Sequence, residues 1–395
     1  MNGEPGQTQA EAAADDDGER RLLPPSLVTS RAGLRRLEAE WRGLALATPL
    51  ATVFQTWEWN AVWWRHYGGR LRRRLRILCF RSAQDGSLVG LAPLCVSLWY
   101  GSPLRRLSFL GTGTSDYLDL LAAPGWEDIA AQSLYAELGR RRGWDVADFQ
   151  QLREGGVLHN RLPHAQAKLA WHDAPLEACP FLKLSPDWDA QRQQFGKKTR
   201  SNIGYYDRAL QKVYTVEVGV VSPEGDLDSE MMRLFDLHQR RWNQRWLPGV
   251  FGSRRVRRFH REAARALLGQ NALRLYSLKL DGVTQASLYC FAFGDRTCYY
   301  QGGFEPTLAK WSLGTVLTAR VLQDAIAEGR TTFDFLRGAE PYKAKWTQTA
   351  CVNRRRLLVK QGALGLPRLT RQVQAWEWAA ENGAKTWLRK RTEAP

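Results

Sequence analysis

The densest chemistry in this 395-residue chain lies at residues 332–346, where Asp334, Arg337, Glu340, Tyr342, Lys343, Lys345 and Trp346 crowd together. Thr332 to Leu336 reads as an apolar strand, and Gly338 and Pro341 break the pattern behind it. Polar groups therefore collect at the carboxyl end of a buried strand, where α/β proteins tend to hold ligands. Alternation places Asp334 on the face opposite Phe333 and Phe335, where it could orient Arg337 or Lys343 through a charge-assisted bond. Glu340 is a candidate general base toward an amine or hydroxyl, on condition that burial raises its pKa. Lys343 and Lys345 are candidates to hold phosphates or an anionic acceptor. The plainer reading makes Asp334–Arg337 a buried salt bridge and puts Tyr342 and Trp346 in the core.

Three other places compete for a role. His238 is a second candidate base, in a stretch (Phe235 to Trp242) that reads as helix, where histidines are more often structural. Lys310, Ser312, Leu313, Gly314 and Thr315 sit at a helix start with small residues. Unpaired N–H groups there suit a pyrophosphate, or Ser312 is simply the N-cap. Asp116 and Asp119 follow a Gly/Thr-rich turn at residues 111–114, either facing a cleft to recognise a cationic or hydroxylated acceptor or acting as loop caps. The Gly111-Thr112-Gly113-Thr114 turn lacks the Lys and Ser/Thr of an NTP-binding loop. No metal-ligand spacing or nucleophile elbow occurs.

The elements that must carry these residues repeat. Residues 75–80 and 88–98 read as strands around a turn at Asp85-Gly86. Residues 273–280, 286–293 and 297–301 form a three-stranded meander with turns at Asp281-Gly282 and Gly294-Asp295. Each half opens with helices (57–67 and 229–245). Each then continues through a helix ending at a glycine (129–142 with Gly143, 313–328 with Gly329) into a strand (145–149 and 333–335). One offset of 186 relates both Gly143 to Gly329 and Asp148 to Asp334 (329 − 143 and 334 − 148). This order predicts a duplicated α+β (mixed α/β) fold and excludes a doubly wound parallel sheet. Residues 159–180 read as irregular and as the junction.

Composition narrows the setting. A hydrophobic content of 44% and 17 Trp demand real cores. The six cysteines show no paired spacing, which fits a reducing, cytoplasmic compartment with no zinc site or disulfide framework. The net charge of +17 is spread over clusters such as Lys197 to Arg200 and Arg354 to Arg356. It is a generally basic surface, open to phosphorylated ligands, anionic lipid or RNA. The first residues form an acidic tail without the apolar region of a signal peptide, and no stretch is long enough for a transmembrane segment. Residues 366–391 space their apolar side chains as an amphipathic helix with a basic end, docked on the protein or in peripheral contact with a membrane.

Three stretches carry a family resemblance: Phe54-Gln55-Thr56-Trp57-Glu58-Trp59 with Trp63-Trp64, Gly111 to Asp119, and Asp334-Phe335-Leu336-Arg337-Gly338 with Glu340, Tyr342-Lys343 and Trp346. Together they resemble the GNAT-like acetyltransferases of the cellulose-biosynthesis CelD/BcsL type, related to the FemAB peptidyltransferases. The resemblance implies tandem GNAT-like lobes, each a mostly antiparallel mixed sheet flanked by helices. It divides the chain into a disordered tail (1–24), an N-terminal lobe (25–175), an acyl-CoA-binding C-terminal lobe (176–362) and a C-terminal helix (363–395). It also implies transfer of an acyl group, acetyl first, from acyl-CoA to an amine or hydroxyl acceptor without a metal. The acceptor would be a small molecule or glycan-linked, in polysaccharide or cell-envelope synthesis. Tyr342 would then protonate the departing thiolate, and residues 310–315 would be the donor loop, with Ser312 standing where the family has its first glycine. FemAB-like transfer from aminoacyl-tRNA, and a non-catalytic binding subunit of a polysaccharide machine, are the alternatives. The polar set is complete in the second half alone, because Asp148-Phe149 continues without the Tyr-Lys and Trp.

Overall fold

The computed structural model describes residues 20–69, 72–99, 103–223, 225–243 and 249–362. Most of the acidic tail and the expected helix at 363–395 lie outside the described residues. In the first half, β1 (Ser26–Val28) is followed by helices α1 (Arg31–Arg36), α2 (Glu38–Ala47) and α3 (Trp57–Tyr67). β2 (Arg74–Arg81) pairs with β1 and turns at Asp85-Gly86 into β3 (Leu88–Leu98). β4 (Arg105–Phe109) extends the antiparallel meander, and the short β5 (Leu121–Ala122) also pairs with β3. Helix α4 (Glu127–Arg140) leads past Gly143 into β6 (Val146–Leu152), parallel to β4. Then come α5 (Val157–Asn160) and β7 (Leu169–Lys183). The last residues of the expected tail are pinned, since Leu23 N donates to Arg81 O at 2.8 Å.

The second half repeats the order. Helices α6 (Trp188–Gln194) and α7 (Lys197–Gln211) precede β8 (Val216–Val220), α8 (Leu227–Asn243) and α9 (Arg254–Leu268). The meander β9 (Leu273–Leu280), β10 (Val283–Phe293) and β11 (Arg296–Phe304) follows. Asp281 and Gly282, both at positive φ, make the two-residue turn that matches strand twist. Helix α10 (Leu313–Ala327) leads to β12 (Thr332–Asp334), parallel to β11, and β13 (Ala350–Lys360) is the last element among the described residues. The α+β reading with a duplicated order therefore stands.

All the strands form one sheet, ordered β1-β2-β3-β4-β6-β13-β7-β12-β11-β10-β9-β8. At its centre the halves are joined: β13 pairs with β6 of the first half on one side and with β7 on the other, and β7 continues beside β12 of the second through Phe181, Leu182 and Lys183. Residues 175 and 176, where the sequence divides the halves, both lie in β7.

This centre differs from the sequence reading. Residues 159–180 were expected to be irregular because Pro175, Pro180 and a polar run hide any alternation. The sheet tolerates them through a register shift between Val352 and Arg354, opposite Ala178 and Pro175. Nor are Arg354 to Arg356 simply surface charge. Arg356 is fully buried against Asp173 (2.7 Å) and Tyr135 (2.7 Å), and Arg355 binds Asp148 (2.7 Å).

Alternate residues of β2 and β3 enter different cores. Ile77 and Cys95 join a cluster that mixes Trp41, Trp59 and Trp63 with Phe235, Phe251 and Phe259 from α8, α9 and their connection. Leu78 and Leu94 pack under α4, and a third cluster lies under α10. The first cluster spans both halves, with Trp59 and Phe259 rings 5.0 Å apart and Arg65 paired to Glu262 at 2.7 Å. All six cysteines are free and buried. Among the described residues no helix is long and apolar enough to cross a membrane.

Candidate active site

Asp334, at the end of β12, is fully buried, so its charge must be met locally. Arg296 Nη1 from β11 donates to it at 2.9 Å, Tyr117 OH from the first half at 3.0 Å, and Leu336 N at 2.9 Å. The expected partners of Asp334, Arg337 and Lys343, are engaged elsewhere. Lys343 is also buried; its Nζ donates to Leu336 O (3.2 Å) and Arg337 O (2.8 Å) and is ion-paired with Glu340 Oε2 (2.9 Å). With three oxygens of one turn around its ammonium, Lys343 clamps that turn. Gly338 is required in that turn: at φ 103° an added Cβ would meet the Glu340 carboxylate at 2.7 Å. Glu340 is 53% exposed, so the burial on which its role as base depends is absent.

Arg337 reaches across to Asp116. Its Nε lies 2.6 Å from Oδ1, an ion-pair contact not aligned as a hydrogen bond. Burial pushes the Asp116 pKa up to about 6, against the pull of Arg337 and Lys343. The loop that carries Asp116 is tied from both halves. Asn353 Nδ2 of β13 donates to Asp116 O (2.7 Å), Tyr300 OH of β11 to Thr114 O (2.8 Å), and Trp59 Nε1 to Ser115 Oγ (2.9 Å). Asp116 and Arg337 thus sit together between the halves. Asp119 does not join them. Its Oδ1 accepts Leu120 N (2.8 Å) and Leu158 N (3.0 Å), the capping alternative, and burial still raises its pKa to about 7.

Beside this pair the sheet opens. β11 and β12 are paired only from Arg296 to Cys298. The chain after Asp334 stays on β7, with Phe335 N on Pro180 O and Gly338 N on Ala178 O, both 2.9 Å, while β11 runs on to Phe304. Two predicted residues border the parting. Half-buried Tyr342 holds its ring 6.2 Å from Tyr299, and the Cβ position of Gly314 lies 3.7 Å from the Phe304 ring.

At the start of α10, Ser312 is left-handed (φ 49°) with no side-chain cap bond, and its carbonyl accepts Thr315 N at 2.8 Å. Serine there keeps the backbone conformation a glycine would favour. Ahead of Thr315, the N–H groups of Leu313 and Gly314 lack intrahelical acceptors. Leu313 is buried, Thr315 half-buried, and Lys310 exposed over Trp311.

His238 lies on α8, nearly fully buried. The Cβ position of Gly303 is 2.4 Å from His238 N, so α8 presses on β11 where only glycine fits. Its Nε2 accepts Trp242 Nε1 at 2.9 Å, which leaves that lone pair engaged. Sequence reasoning missed Tyr117, Arg296 and Asn353, which meet their partners only through the fold. Among the described residues no cluster of His, Cys, Asp or Glu could hold a metal.

The family model described as an acetyltransferase (GNAT) domain matches residues 197–344, from α7 through the strand-end cluster. No curated protein matches the chain. Among solved structures it is similar to FemX (TM-score 0.58, 10% identity, 81% of this chain and 95% of that one). A conserved protein of unknown function from Bacteroides thetaiotaomicron aligns at TM-score 0.54, with 10% identity over 85% of this chain and 100% of that one. The C-terminal domain of a putative lysylphosphatidylglycerol synthetase from Agrobacterium fabrum aligns at TM-score 0.50, with 13% identity over 86% and 95%. At such identities the likeness is one of fold. Domain match and architecture together give this chain a GNAT fold, in which residues 197–344 are similar to an acetyltransferase (GNAT) domain.

Proposed function

We propose that the protein moves an acyl group, acetyl first, from acyl-CoA to an amine or hydroxyl of a glycan-linked or small-molecule acceptor. The setting we infer is cytoplasmic polysaccharide or cell-envelope synthesis of the CelD/BcsL kind. The observation that carries this reading is the parting of β11 from β12 beside the start of α10. It leaves one strand edge open next to unpaired helix N–H groups, where a thioester and its pyrophosphate can lie side by side. Lys310, Ser312, Leu313, Gly314 and Thr315 would hold the donor. The acceptor would approach the Arg337–Asp116 pair between the halves. Its nucleophile adds to the thioester carbonyl, its proton passes to Asp116, and the C–S bond breaks as Tyr342 protonates the departing thiolate. A buried carboxylate with pKa near 6 suits the base role better than exposed, Lys343-paired Glu340.

The test is thermal shift with acetyl-CoA, followed by thiol release on offering amino sugars and glycans. A ligand at about 100 times its dissociation constant stabilises the fold by roughly 2.7 kcal/mol. No shift with any acyl-CoA would return the protein to the binding-subunit alternative. A second reading, aminoacyl transfer from tRNA, draws on the first turn of α7, where Lys197 and Lys198 are exposed and the turn itself holds no acidic residue. Salt-sensitive tRNA binding without acetyl-CoA turnover would favour it.

A further inference from the structure

The first half contains a cavity that the acyl-transfer reading does not use. It has a volume of about 210 Å³ and opens at the end of α4. Its floor is aliphatic and buried: Leu78 of β2, Leu94 and Val96 of β3, Leu107 of β4 and Leu138 of α4, with Trp144 at the side. At the mouth are Arg76, Arg141 and Arg142. Arg141 is committed to Glu137 (2.5 Å) and Pro25 O (3.3 Å). Arg76 donates to the neighbouring Leu75 O at 3.0 Å, and among the described residues no carboxylate is paired with Arg76 or Arg142.

The positive charge of Arg76 and Arg142 is thus left without a paired carboxylate among the described residues. Burial and then the like charges of Arg74 and Arg141 lower the pKa of Arg76, and burial and then Arg142 lower that of Lys360. An anion at the mouth would relieve this repulsion, and a hydrocarbon tail would fill the floor. A neutral lipid answers only the floor, and a nucleotide would find no polar partner within. The volume also lies below the roughly 300–1,000 Å³ usual for drug-sized ligands and cofactors, which suits one narrow chain. We propose that this cavity binds a single-chain fatty carboxylate, its chain on Leu78, Leu94 and Leu107 and its head on Arg76 and Arg142. The site lies in the opposite half from α10 and does not rest on the acyl-donor reading.

The experiment titrates the full-length protein with decanoate by calorimetry, and with bromodecanoate to quench the indole of Trp144. Saturable binding is expected, with quenching that disappears in Trp144→Phe. Arg76→Glu and Arg142→Glu are each expected to weaken decanoate by roughly tenfold with the melting temperature unchanged. Leu107→Phe should fill the floor and abolish binding. If that core variant fails to fold, the two surface charge reversals still decide. Absence of decanoate binding, equal affinity for decanol, unchanged affinity in both charge reversals, or quenching that persists in Trp144→Phe would each overturn the proposal.

Discussion

Replacing Asp116 with asparagine should make the protein more stable and less active. The side chain is buried, and its pKa rises from an ordinary 3.8 to about 6 even with Arg337 beside it. The folded state therefore binds this proton more tightly than the unfolded chain does. Stability is whole below about pH 4, falls as pH rises through the interval to about 6, and stays lower above it. At about 1.4 kcal/mol per pKa unit, the native-state cost at pH 8 is about 3 kcal/mol. Asparagine keeps the shape and cannot ionise. Arg337 loses its partner, but its side chain is 31% exposed and can return to water at little cost.

The expected outcome is an unfolding free energy raised by up to about 3 kcal/mol at pH 8, with the gap closing toward pH 4. Urea melts followed by tryptophan fluorescence at several pH values measure it. On the proposed base role, kcat/KM should fall by about 10²–10⁴, and the wild-type profile should decline on its acid side near pH 6. An Asp116→Asn protein less stable than wild type at pH 8, or a difference that ignores pH, would refute the reasoning.

Other substitutions probe the remaining parts. Arg296→Met leaves Asp334 buried without its counter-charge and should cost about 3–5 kcal/mol; adding Asp334→Asn should recover part of it, which chemical denaturation of the single and double variants would check. Gly314→Leu should weaken acetyl-CoA by roughly tenfold or more in calorimetry while leaving the melting temperature nearly unchanged, because the nearest atoms to a Cβ there are at ordinary contact distance from Phe304. Tyr342→Phe should lower kcat by about 10²-fold with KM and stability unchanged if the hydroxyl protonates the leaving thiolate. A fall in stability with unchanged kcat would assign it to the core.

What could be read in advance was local. The Asp-Gly turns, the helix–glycine–strand units at one offset and the amphipathic Trp57–Tyr67 helix all leave their mark within a few residues, and the structure places them accordingly. The central pairing of β7 and β13 left none. Two prolines and a polar stretch blur the first, three consecutive arginines the second, and their pairing joins residues far apart in sequence. The same holds in the site. The sequence offers Asp334, Arg337 and Lys343 as neighbours, and the fold gives each a different partner. Tyr117 meets Asp334 across 217 residues, a closeness no spacing rule encodes. Lys343 and Glu340 were judged by residue type, but burial decided them: the lysine turned inward to three oxygens and the glutamate stayed in water.

The central pairing also bears on how such a chain comes to be made. β6 keeps a bare edge until residues 350–360 arrive to pair with it, so the sheet of the first half stays incomplete until the second meander has been made. Unpaired strand edges invite pairing with other chains, and distant contacts close slowly. The edge of the first sheet therefore waits on a strand that follows the second meander, and β13 acts as its latch.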